Sequence, residues 1–280
     1  MIEKNFTILS IKGQNPLVHD INQQILSKST PIYILAFLTM CELAALNRPT
    51  LGLMMHSFLV IVILSLSALS ESNKVNAFLV ASLPIPMVRV VSLSAPLVQM
   101  SIIEWFLLIS SLLMLSILLS LQQSGLSPRD VGFRWPEKRD LPIAIVVILL
   151  GIPLGFVEHS ILDLESIIQL ELARDLFVPF IAMYLGTGIL EELLFRGLIQ
   201  KTSIDLYGKT IGLVFTTVSF MIMHIGWDSV IDVIFVGVVG LFYSFVILRT
   251  KSLFSISISH TMVNLSLFIV APTVISLNLY

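Results

Sequence analysis

Glu191, Glu192, Arg196, His224, His260 and Asn264 are the residues whose types and spacing could do chemistry, because each interrupts an otherwise apolar run. In 186-GTGILEELLFRGLIQ-200 two carboxylates and a guanidinium share one stretch. The run 220-FMIMH-224 ends on an imidazole, and 260-HTMVN-264 pairs an imidazole with an amide four residues on. Residues four apart lie on one face of a helix, so Glu192 and Arg196 can form an ion pair, in the acid-first order that helices favour. That pairing leaves Glu191, about 100° further round the helix, without a local counter-charge and available as a general base. His224 and His260 can donate, accept or bind metal. Asn264 can donate a hydrogen bond to a developing oxyanion. Base, imidazoles and oxyanion donors around a buried water are the components of amide hydrolysis.

Each of these residues also has a plain structural reading. The Glu192–Arg196 pair can serve as glue within a bundle, and a lone histidine can satisfy a neighbouring helix. Phe220 reads as a packing residue, and Gly186, Gly188 and Gly197 as points of close helix approach. Glu42, Arg89, Glu104, Glu158 and His159 stand near the ends of apolar runs and read as interfacial. The functional reading gains from the occurrence of three spaced elements on three successive apolar stretches.

The elements that must position these groups are membrane spans. Of 280 residues 56% are hydrophobic and only 12% charged, about half the charged share of a soluble domain, and the mean hydropathy is +0.97. A net charge of −2 excludes a nucleic-acid binder, which needs a basic excess. A single cysteine, Cys41, excludes a disulfide scaffold. The expected fold is an all-α, polytopic membrane bundle. Runs long enough to cross a bilayer fall at 31–47, 51–70, 75–93, 101–121, 141–157, 177–200, 209–226, 229–248 and 253–276, about nine in all. The third contains Pro84, Pro86 and Arg89; read as a broken or re-entrant piece, it leaves about eight.

The basic residues orient the bundle. With the N-terminus cytoplasmic and nine alternating spans, Lys4, Lys12, Lys28, Lys74, Arg129, Arg134, Lys138, Arg139, Lys201, Lys209, Arg249 and Lys251 all fall inside. Only Arg48 and Arg174 fall outside, and the acidic segment 158–175 is external. The C-terminus is then outside. The chain divides into a cytoplasmic segment 1–29, N-terminal spans 30–121, a cytoplasmic connector 122–140 and a C-terminal core 141–280. No signal peptide is evident in the polar first stretch. The short N-terminus and compact loops suggest a prokaryotic plasma membrane. Depth is a partial check. At 1.5 Å per residue Glu191 lies about 21 Å below the outer start of its span and His260 about 11 Å above its inner start, which agree; His224, at about 22 Å from its inner start, comes out several ångströms too high.

Taken in order, Glu191-Glu192-x-x-x-Arg196, Phe220-x-x-x-His224 and His260-x-x-x-Asn264 resemble the intramembrane protease family of CAAX proteases and bacteriocin-processing enzymes, which includes the CAAX prenyl endopeptidases. The likeness covers roughly 177–276, and 126-LSPRDVGFRWP-136 resembles a stretch that precedes this core in bacterial members. The resemblance implies a conical intramembrane cavity, with Glu191 activating water, His224 assisting, His260 and Asn264 stabilising the oxyanion, and Glu192 with Arg196 shaping the site. The family has also been described as metal-dependent, which would make Glu191, His224 and His260 zinc ligands; the reading favoured here requires no cofactor, since no His-Glu-x-x-His is present. The expected partners are membrane lipid and a hydrophobic or lipidated peptide. Two other classes stay open: a proton-coupled transporter, since carboxylate and histidine chains also relay protons, and a non-catalytic bacteriocin-immunity protein of the same fold.

Overall fold

The computed structural model describes residues 29–94, 102–167 and 176–277, and every regular element among them is helical. Residues 1–28 of the expected cytoplasmic segment 1–29, residues 168–175 of the acidic loop and the Glu104 side chain lie outside the described residues. The helices are α1 (Thr30–Asn47), α2 (Pro49–Leu69), α3 (Asn73–Ser82), α4 (Pro84–Ser94), α5 (Ile102–Ser124), α6 (Leu141–Leu162), α7 (Phe177–Tyr207), α8 (Lys209–Ile222), α9 (Val230–Thr250) and α10 (Phe254–Ser276).

Eight segments are long and apolar enough to cross a membrane among the described residues: α1, α2, α3 with α4, α6 with the turn before it, α7, α8 with the turn after it, α9 and α10. Helix α5 adds a shorter apolar stretch, Leu108–Ser124. Side chains such as Ile61, Val178 and Val238 are exposed on the outside of the bundle, as hydrocarbon requires and water would penalise. The chain is an all-α polytopic integral membrane protein.

The third span is broken, as its prolines predict. Leu83 separates α3 from α4, and Pro84 opens α4 where a helix needs no amide donor. The connector is no free linker. Arg134 Nε donates to the Lys251 carbonyl at 3.0 Å, Ser252 Oγ to the Arg134 carbonyl at 2.6 Å, and Leu253 N to the Gly132 carbonyl at 2.9 Å. Trp135 stacks on Phe254. Within it the Ser127 hydroxyl and amide donate to Asp130 and hold that carboxyl below its usual range.

The helices meet where side chains are smallest. A Cβ on Gly151 would lie 2.3 Å from the Ser259 carbonyl oxygen, and one on Gly155 would lie 2.3 Å from that of Val263. The Gly151-x-x-x-Gly155 face of α6 therefore rests directly on the backbone of α10. Gly188 does the same for α7, its Cβ position being 2.2 Å from Thr261 Oγ1.

The interfacial reading of Glu42, Glu158 and His159 is corrected. Glu42 is fully buried between Arg89, whose Nε and Nη2 donate to its two oxygens at 2.7 and 2.6 Å, and His56, whose Nε2 lies 3.1 Å away. Glu158 and His159 are buried as well. Nearness to a span end does not imply exposure when another helix covers that end.

Candidate active site

Helix α7 is irregular where it carries the acidic pair. π-Helical turns at Tyr184–Gly188 and Leu193–Ile199 flank the short α-helical piece Ile189–Glu192; such widened turns recur at functional sites. From this segment Glu192 points fully into the protein. Its Oε1 accepts from Arg196 Nη1 at 3.0 Å and from His260 Nδ1 at 2.8 Å. A carboxylate held ionised by accepting a hydrogen bond from arginine fixes the histidine tautomer: Nδ1 carries hydrogen and donates, and Nε2 is the working nitrogen. That nitrogen lies 3.9 Å from Glu191 Oε2, too far for a direct hydrogen bond and short enough for a shared water. Glu191 is part-exposed, its side chain 29% accessible, whereas Glu192 and Arg196 are sealed.

Arg196 is held by more than its carboxylate. Its guanidinium carbon lies 4.2 Å from the centre of the Phe220 ring, a cation–π contact strengthened by desolvation. A Cβ on Gly240 would stand 2.6 Å from Arg196 Nη2 and 3.0 Å from the Phe220 ring, so only glycine leaves room for the charge. Phe220 is thus more than packing. It bears the guanidinium, lies 4.6 Å from the His224 ring, and meets His260 edge-on at 6.2 Å.

His224 lies beyond α8, in the turn before the short 3-10 segment Ile225–Trp227. Its Nδ1 donates to the Phe220 carbonyl at 2.9 Å, and a carbonyl can only accept, so Nε2 is left with its lone pair. A small cavity lies beside His224. It has a volume of about 30 Å³ and is walled by Glu158, Phe220, His224, Tyr243, His260 and Asn264, among others. One water needs roughly 10–15 Å³ of such space, so the cavity suits a water and not a peptide.

All six sequence-predicted residues therefore belong to one region, with two adjustments. The Asn264 amide is not wholly free, since Nδ2 donates to Thr187 Oγ1 at 2.9 Å; its second N–H remains. Glu191 is not without a charge partner, because His260 from α10 supplies one across space. The residue missed is Glu158. Its signal was present in 151-GIPLGFVEH-159, where Glu158 follows Gly155 by three positions on the face those glycines press against α10.

As a zinc set, Glu191, His224 and His260 do not fit. Among the described residues no three His, Cys, Asp or Glu side chains are placed to hold a metal ion.

Residues 173–266 match the family model described as type II CAAX prenyl endopeptidase Rce1-like, a stretch that contains all three motifs and excludes Glu158. No curated protein and no solved structure matches the chain.

Proposed function

We propose that this protein is an intramembrane endopeptidase that hydrolyses a peptide bond in a hydrophobic, membrane-associated peptide, with a prenylated C-terminal segment as the first substrate class to test. The observation that carries the reading is the chain Arg196–Glu192–His260, buried and hydrogen-bonded, which aims one imidazole nitrogen at Glu191 beside a water-sized cavity. A structural ion pair needs neither the free nitrogen nor the cavity. The description of the matching family supports the same class of reaction.

In this mechanism Glu191 takes a proton from water as the oxygen attacks the carbonyl carbon. His224 Nε2, an acceptor, aligns that water. His260 Nε2, when protonated, and the remaining Asn264 N–H donate to the oxygen on which negative charge develops. Glu192 orients the His260 ring and Arg196 holds Glu192 in place. The active side chains lie on α7, α10 and the α8–α9 turn, inside the bilayer. The proposed setting is a prokaryotic plasma membrane, N-terminus inside and C-terminus outside.

The test is cleavage by purified protein in liposomes, combined with a membrane-peptide comparison of wild type with Glu191→Gln to find peptides that accumulate uncut. Loss of a general base lowers turnover by about 100- to 10,000-fold, with the melting temperature in detergent unchanged. Full activity in Glu191→Gln or His224→Ala would sink the proposal. Proton flux without cleavage, lost in Glu191→Gln, would favour a transporter instead.

A further inference from the structure

Glu158 belongs to none of the three motifs and lies outside the matched segment, yet it lines the same cavity as His224, His260 and Asn264. It is more than nine-tenths buried. None of the hydrogen bonds among the described residues reaches its carboxyl, and the charged groups within electrostatic reach are Asp232, His260 and Glu191. A carboxyl held in a bilayer-embedded wall without a partner is costly unless it does something there. The close contact of α6 with α10 at Gly151 and Gly155 fixes its position and leaves it little freedom to swing out.

The other groups in that wall leave one task undone. Peptide hydrolysis needs a proton for the departing nitrogen as well as a base for water. The Nδ1–H of His224 is tied to the Phe220 carbonyl, the Asn264 amide is not acidic, and Tyr243 donates its hydroxyl to Ser259 Oγ at 2.8 Å. His260 faces Glu191. Glu158 is the cavity carboxyl that no other step of the proposed mechanism uses, and it faces the reacting centre without a hydrogen-bond partner to hold its proton.

We propose that Glu158 is a second catalytic carboxyl, the general acid that protonates the leaving amine. This rests on the peptidase reading and adds a residue to it. Water oxygen bonds to the carbonyl carbon while one of its protons goes to Glu191, and the carbonyl electron pair moves onto oxygen. On collapse the C–N bond breaks, its pair stays on nitrogen, and nitrogen takes the proton from Glu158. The products are an acid and an amine; passage of the proton from Glu191 to Glu158 resets the site.

The experiment compares an internally quenched farnesylated peptide with its analogue carrying a thioester at the scissile bond, in proteoliposomes. A thiol with an ordinary acidity near 8.5 leaves as thiolate and needs no general acid. Glu158→Gln should lose about 100-fold or more on the amide and far less on the thioester, whereas Glu191→Gln should fail on both. An unchanged amide rate in Glu158→Gln, or an equal loss on both substrates, overturns the assignment while leaving the peptidase reading intact. Wild-type protein that hydrolyses neither substrate overturns both. If Glu158→Gln does not fold, Glu158→Asp carries the comparison: its amide-to-thioester ratio should also fall, and an unaltered ratio overturns the proposal.

Discussion

At the scale of single residues, the site is a chain of dependencies ending in one nitrogen. Arg196 is sealed from solvent with Nε and Nη2 lacking acceptors among the described residues, so its position depends on Glu192, the Phe220 ring and the space left by Gly240. Arg196→Met leaves the buried Glu192 carboxylate with His260 as its one hydrogen-bond partner among the described residues and should cost about 3–5 kcal/mol, read as thermal unfolding in detergent. The double variant Glu192→Gln with Arg196→Met should recover much of that stability and none of the peptidase activity, because His260 loses its orienting carboxylate. Chelation should leave cleavage in place and added zinc should not raise it; abolition by a chelator with rescue by zinc would reverse the metal-free mechanism. Much of this was legible in the sequence, since scarcity of charge in a membrane makes each charge informative. The i, i+4 rule found Glu192–Arg196 but could not find His260 against Glu192, which are 68 positions apart. Glu158 was misassigned because linear position near a span end says nothing about which helix covers it.

At the scale of elements, two faces of α10 are used by two glycine-bearing helices. Gly155→Ala would drive a Cβ to 2.3 Å from the Val263 carbonyl and should cost about 1–3 kcal/mol by overpacking, with loss of activity as Glu158 and Asn264 move apart. Gly226→Ala, whose Cβ would find only the Arg89 guanidinium at 4.0 Å, should be tolerated. Melting temperature and cleavage rate of the two variants check both. The apolar runs located each helix because hydrocarbon permits little else, but misjudged where α6, α7 and α8 end. The π-turns of α7 and the exit of α8 at Ile222 were not legible, since both stretches read in the sequence as continuous apolar helix.

At the scale of the whole molecule, the N-terminal helices contain no recognised motif but support the site. Arg89, clamped by Glu42, lies beside Gly226 in the turn that carries His224. The charge distribution gives the orientation test: a cysteine at exposed Arg129 should label from the cytoplasmic side and one at exposed Glu165 from the outside, with native Cys41 buried and silent. Labelling of intact cells with an impermeant maleimide distinguishes the two faces, and the reverse pattern would invert the bundle. The size of the cavity has a kinetic meaning. A chamber of about 30 Å³ admits water but no peptide, so on the proposed reading cleavage would require helices to part. If the parted form were populated at about 1%, every substrate would bind about 100-fold more weakly than its contacts allow. Selectivity in a crowded membrane would then depend less on side-chain pockets than on which peptides persist long enough to meet a rare opening.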